Sequence, residues 1–246
     1  MYDLLTMADK KTLFERYSEK PYRNIFIALV AVILIDALAS NYAARGKFAD
    51  LMLAAVLVAA LVETVRARRN AIVALILGLP AVALRVVSAF ASDAPALNST
   101  IAAVTASFLG FLIWNLLHDL YKSGRPTSER VFGALCAYVF VGLLFAVIYA
   151  HMEYRQPGSF ATSQEVFAED VLQESNLFPL FTYFSFVTLT TLGYGDISPV
   201  AEPARTLAWF EALLGQLYLA VMVAGFVAIH ISEGMRKDRE DPPSDG

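Results

Sequence analysis

The stretch Leu177-Phe178-Pro179-Leu180-Phe181-Thr182-Tyr183-Phe184-Ser185-Phe186-Val187-Thr188-Leu189-Thr190-Thr191-Leu192, running on into Gly193-Tyr194-Gly195-Asp196, decides how the rest of the chain is read. Its apolar part is shorter than the roughly 17–25 residues a helix needs to cross a ~30 Å hydrocarbon core. It is rich in Thr and aromatics, and it closes on two glycines separated by one residue. That pattern predicts a re-entrant segment: a half-helix entering the membrane, then extended backbone returning to the surface. Non-helical backbone at membrane depth is tolerated only where protein or a water-filled cavity surrounds it. The stretch therefore calls for spanning helices around it.

The flanking sequence supplies them. The 246 residues are 57% hydrophobic and 17% charged, more apolar than a soluble domain of this length needs. Apolar blocks predict six spans, at about 24–42, 49–65, 71–90, 99–120, 131–152 and 205–231, with the re-entrant stretch between the last two. With the N-terminus inside, Lys10, Lys11, Arg16, Lys20, Arg23, Arg66, Arg68, Arg69, Lys122, Arg125, Arg130, Arg236, Lys237 and Arg239 fall on the inner side. Those are 14 of the 19 basic residues; Arg45, Lys47, Arg85, Arg155 and Arg205 fall outside or at outer span ends. The excess of inner positive charge puts both termini in the cytoplasm. The polar, charged start lacks the short apolar core and cleavage site of a signal peptide. The single cysteine, Cys136, excludes an intrachain disulfide and reads as a small hydrophobe in a helix. No nucleophile–base arrangement or metal-ligand spacing points to an enzyme.

The Gly-Tyr-Gly spacing has its own physical reading. A row of inward-facing carbonyls requires backbone conformations that residues with a Cβ resist, and glycine adopts φ > 0 cheaply. Gly193 and Gly195 are placed for that.

Taken with its sequel Ile197-Ser198-Pro199, the run Tyr183–Asp196 resembles the pore loop of potassium channels, and is most similar to prokaryotic members of the pore-loop superfamily. The resemblance covers 131–231; the first four spans match only in number. It implies an all-α integral membrane protein with six transmembrane helices, a re-entrant pore helix and filter between the fifth and sixth, and four identical copies around one pore. It implies a potassium-selective channel of the cell membrane conducting passively, with Thr191, Leu192, Gly193, Tyr194 and Gly195 as filter. Potassium ions would be the bound species, with no organic cofactor. The partners would be other copies of the chain and membrane lipids, with no nucleic acid. Rings of carbonyls from Thr191 to Tyr194 would replace the hydration shell of the ion. Thr191 would add a hydroxyl ring at the inner end. Leu192 and Tyr194 would pack behind the strand, with Tyr194 hydrogen-bonded to a pore helix. The negative end of that helix would favour a cation at the pore centre. The family usually has Val where this chain has Leu192; the carbonyl is kept. Tyr194 stands where the family marks potassium selectivity. Asp196 stands where relatives pair an acid with a pore-helix aromatic, here Tyr183 where many carry Trp. The chain then divides into a cytoplasmic segment 1–22, a four-helix unit 23–122, a pore domain 129–231 and a short cytoplasmic tail 232–246.

The fourth span, from Ser99 to Asn115, carries no Lys or Arg. A charge crossing the full field gains about 2.3 kcal/mol per 100 mV, and steep gating needs several per subunit. Weak or no voltage dependence is expected. Asp36 and Arg85 lie at similar depth and are expected to form an ion pair, structural or sensing. Glu63 is expected to meet Arg66 or Arg69, and Pro80 with Gly78 to kink the third span. Gly215 is placed as a gating hinge or a close-packing residue, with Gly225 a second candidate. Glu153, Glu165, Glu169, Asp170 and Glu174 in the outer loop either concentrate cations at the mouth or form a solvated surface. His118, His151 and His230 near span ends are proton-sensor candidates or bland interfacial residues. The segment 1–22 either lies on the inner interface as an amphipathic helix or is disordered. Two other functions fit less well: part of an active uptake system, which would carry four pore loops in one chain, and a non-conducting sensor.

Overall fold

A computed structural model describes residues 21–38, 42–66, 70–90, 95–122, 128–162 and 177–240. Five helices precede the re-entrant stretch: α1 (Pro21–Leu38), α2 (Tyr42–Arg66), α3 (Ala71–Phe90), α4 (Pro95–Lys122) and α5 (Ser128–Arg155). A short strand β1 (Phe160–Thr162), the helix α6 (Leu177–Leu189), the strand β2 (Ile197–Pro199) and the long helix α7 (Glu202–Glu240) complete it. Among the described residues, four helices are long and apolar enough to cross a membrane: Ala71–Ser88, Leu97–Tyr121, Glu129–Arg155 and Glu202–Val227. Helix α6 has 13 residues, a length of about 20 Å at 1.5 Å per residue, so it reaches only part of the way across.

Local chemistry fixes the helix ends. Pro21 opens α1, where its missing N–H costs nothing. The next amide, on Tyr22, donates to Glu129 Oε2 at 3.1 Å. Glu129 also lies in the first turn of α5, where a carboxylate suits the helix dipole. Helix α3 runs unbroken through Pro80. Gly78 serves packing there: a Cβ on it would stand 2.8 Å from Leu61 and Phe108 side-chain atoms.

One apolar core joins α1 through α5, with Leu57, Phe108, Leu109 and Phe140 at its centre. Phe178 and Phe186 of α6 and Tyr218 of α7 pack against it. The first four helices therefore rest on the α5 and α6 of their own chain. A second core gathers around fully buried Tyr149, ringed by Phe145, Phe160 and Phe184 with centroids 5.2–5.8 Å away, and by Phe181 at 6.4 Å. It seats α6 between α5 and α7.

The all-α expectation needs one amendment. Strands β1 and β2 pair antiparallel, with Phe160 opposite Pro199 and Thr162 opposite Ile197. The segment leaving the Gly-Tyr-Gly run is thus tied to the chain leaving α5. Glu153 reinforces this corner, accepting from the amides of Gly158 at 2.8 Å and Phe160 at 3.0 Å. It is buried, so it serves the turn rather than the acidic outer surface expected of it. Glu165, Glu169, Asp170 and Glu174 lie outside the described residues, as do 1–20 and 241–246. The backbone of α7 continues past the expected tail boundary at 232 to Glu240.

Among the described side chains the partner of Arg85 is Asp50; the expected partner Asp36 lies outside them. Arg85 Nη1 meets Asp50 Oδ1 at 2.6 Å, and Arg85 Nε donates to Thr105 Oγ1 at 3.3 Å. Ser88 Oγ donates to the other Asp50 oxygen at 3.2 Å. Asp50 is on α2, which packs along α3, whereas α1 packs on α2 and α5. Asp36 is on α1, and its side chain lies outside the described ones. Arg85 also stacks over Phe178 at the start of α6, its Cζ 5.4 Å from the ring centroid, a cation–π contact linking the four-helix unit to the re-entrant helix. Removing one partner of a buried ion pair strands the other, at a cost of about 3–5 kcal/mol. Asp50→Ala should lower the thermal-unfolding midpoint of the purified protein markedly, and Asp36→Ala should not. Equal effects of the two substitutions would restore the original pairing.

Candidate functional site

The site begins where α6 stops. Thr191 has φ +60°, a left-handed conformation unusual for a β-branched residue. Its amide donates to Thr188 O at 2.9 Å, and the next amide, Leu192 N, reaches back to Val187 O at 2.9 Å. That is a Schellman ending with Thr191 where glycine is usual. The last carbonyls of α6 are all occupied. Phe186 O accepts from Thr190 N, Val187 O from Leu192, Thr188 O from Thr191, and Leu189 O from Tyr138 Oη at 3.2 Å. The orphan carbonyls that every helix end leaves are thus satisfied within the chain.

Beyond Thr191 the backbone does what the glycine spacing predicts. Gly193 has φ +61° and Gly195 φ +77°. The positive φ of Thr191 was not expected from sequence, since nothing but its position after the helix signals it. Residues 191–195 are exposed in the single chain, Leu192 at 59% and Tyr194 at 67%. The packing expected behind Leu192 and Tyr194 is thus not made within one chain.

The structure brings Tyr183 and Asp196 together. Tyr183 Oη donates to Asp196 Oδ2 at 2.6 Å, across the Gly-Tyr-Gly run from helix to exit. Asp196 Oδ1 also accepts from the amide of Ile197 at 3.1 Å. A hydrogen bond to a charged group contributes about 1.5–3 kcal/mol, less when exposed as here. Tyr183→Phe should lower cation flux several-fold with the protein still assembled, and Tyr183→Trp, which keeps an N–H donor, should retain it. Equal flux in all three would mean the bond holds nothing.

Helix α7 approaches the site closely. At Gly215 a Cβ would stand 2.1 Å from Leu189 O, a backbone atom at the end of α6. Close packing is therefore the reading of Gly215 with a contact behind it. Gly225 has nothing within 4 Å of its Cβ position in the single chain. Next to Gly215, Gln216 Nε2 donates to Thr191 Oγ1 at 3.0 Å. One turn before it, Glu211 is wholly buried, in reach of Tyr149 and Ser185. Sequence reasoning missed Gln216 and Glu211. The signal for Glu211 was present, an ionisable residue inside an apolar span, which is by default a site candidate. Most of the Glu202–Val227 span is not buried within the chain, and Trp209, Leu213, Leu217, Val221 and Val223 are exposed.

Comparison with a family model falls on this region. The family model described as "Ion channel" matches residues 137–231. Over 108 residues the chain is 32% identical to an inward rectifier potassium channel, Kirbac3.1, of Paramagnetospirillum magnetotacticum. The aligned part is 42% of this chain and 30% of that protein, so the chain spans under a third of the length of its curated relative. No solved structure matches.

Proposed function

We propose, on the premise that residues 137–231 are an ion-channel domain and the chain a channel rather than an enzyme, that four copies assemble into a potassium-selective channel conducting passively across the cell membrane. The observation that carries this reading is the exit of α6: a helix whose last carbonyls are closed off, then a backbone with positive φ at Thr191, Gly193 and Gly195. Those conformations suit a strand whose carbonyls face an axis. Carbonyl rings from Thr191, Leu192, Gly193 and Tyr194 would hold dehydrated potassium ions, the only bound species the reading needs.

One strand does not close a ring. The exposure of residues 191–195 and of α7 supports covering by further copies, and the exposed apolar faces of α3 and α4 support covering by lipid. Tyr194 would bond to a pore helix of another copy. Six spans, with both termini inside, would keep 14 of the 19 basic residues on the cytoplasmic side. Voltage dependence would be weak or absent: helix α4 carries no basic residue before Lys122, and Arg85 is engaged by Asp50. Likeness to a protein described as an inward rectifier potassium channel favours potassium over other cations.

Liposomes containing only this protein test the reading. Potassium flux blocked by barium, sodium flux far lower, and fourfold particles are the expected results. Sodium crossing as freely as potassium, or particles of another symmetry, would overturn it. Steep voltage activation would remove the voltage-independent part alone.

A further inference from the structure

We propose that Glu211 is a positioning residue of the pore, acting as a neutral, proton-bearing carboxyl that clamps the pore helix between the outer and inner helices. The proposal deepens the channel reading and rests on it only for its consequence at the filter.

Glu211 has no exposed surface. Tyr149 Oη of α5 donates to its Oε2 at 2.8 Å. Ser185 Oγ of α6 lies 2.5 Å from its Oε1 and also 2.7 Å from the carbonyl oxygen of Gly142 on α5. A serine hydroxyl has one hydrogen and two lone pairs. If Glu211 were a carboxylate, Ser185 would face two pure acceptors with one proton, leaving one pair of oxygens in contact with no hydrogen between them. Placing the extra proton on Oε1 resolves the count. Glu211 then donates to Ser185, Ser185 donates to Gly142 O, and Tyr149 donates to Oε2. Among the described residues Glu211 makes no ion pair, and an unpaired charge buried away from water is far more costly than a neutral acid with every group bonded.

The clamp is aimed at the filter. Ser185 and Leu189 are one turn apart on α6; Glu211 and Gly215 are one turn apart on α7. Glu211 meets Ser185 as Gly215 meets Leu189 O, and Gln216 continues the row onto Thr191. The two helices are thereby held in one register, and that register sets where Thr191 stands. A serine–acid contact at one end and a bare glycine at the other leave no room for the helices to slide by a residue.

Three variants of the full-length protein test this: Glu211→Gln, Glu211→Leu and Tyr149→Phe. Glutamine keeps the shape, an N–H donor for Ser185 and an oxygen for Tyr149, so its potassium-to-sodium flux ratio should stay within about twofold of the parent. Leucine keeps the volume and no bonds; the ratio should fall tenfold or more. Infrared difference spectra of the parent should show the C=O stretch of a protonated carboxyl that Glu211→Gln lacks and Tyr149→Phe shifts. Absence of that band, or a Glu211→Gln protein as impaired as Glu211→Leu, would mean a charged carboxylate and overturn the proposal. A selective Glu211→Leu channel would overturn the positioning role. Should Glu211→Leu fail to fold, the band and the Glu211→Gln and Tyr149→Phe ratios still decide, with a shifted band and reduced ratio expected for the latter. A parent protein that passes no potassium would instead overturn the channel reading, and the infrared band would stand as the test of Glu211.

Discussion

Replacing Gly193 by alanine is expected to abolish potassium flux while leaving the protein able to insert and fold. Nothing lies within 4 Å of the Cβ that alanine would add in the single chain. The objection is conformational: Gly193 holds φ +61°, and forcing an L-residue there costs about 1–2 kcal/mol. Four copies meet at the proposed ring, so the penalty falls on one small structure about four times over, roughly 4–8 kcal/mol. The cheapest relief is a peptide flip that turns a carbonyl off the axis and breaks the coordination ring. Flux measured in liposomes should fall a hundredfold or more. Leu192→Val is the control: it alters a side chain and keeps the carbonyl, so flux and selectivity should change little. Normal conduction by Gly193→Ala would show that ions do not pass along this backbone.

The second large effect is expected at Gly215. Here the objection is space. A carbon needs about 3.3 Å from a carbonyl oxygen, and the added Cβ would stand 2.1 Å from Leu189 O. That oxygen belongs to the backbone at the end of α6 and already accepts from Tyr138, so it cannot simply turn away. Helix α7 must retreat by about an ångström, which breaks the Gln216–Thr191 bond and the Glu211–Ser185 contact together. Gly215→Ala should therefore lower the thermal stability of the purified protein and cut flux tenfold or more. Gly225→Ala, in open space, should change flux less than twofold. A Gly215→Ala protein of normal stability whose open probability alone is shifted would favour the hinge over the packing role.

Both arguments start from glycines marked by their sequence setting, yet they were not equally legible. Gly193 and Gly195 announce their conformation through spacing, because the demand is local: a Gly-X-Gly run after a half-helix has few other uses at membrane depth. Gly215 could be read as hinge or as packing, and only the position of Leu189 O separates them. Arg85 shows the same division. That a buried arginine in an apolar span must have a partner follows from the sequence; that the partner is Asp50 depends on α2 rather than α1 lying along α3.

By itself, then, the sequence determined the segment too short to span, four of the six spanning blocks around it, the two glycines that free the backbone, and, through its resemblance to a pore loop, the acid–aromatic pair Asp196 and Tyr183. Each is set by length, by φ, or by a short motif. Tertiary structure decided the left-handed Thr191, the Asp50 partner, the buried Glu211 and the approach of Gly215 to the pore helix. The reason lies in the solvent. A helix between lipid and protein is apolar on every side, so its hydrophobic period does not reveal which face meets another helix. Those faces, and the few polar atoms that lock them, become visible only once the helices are packed.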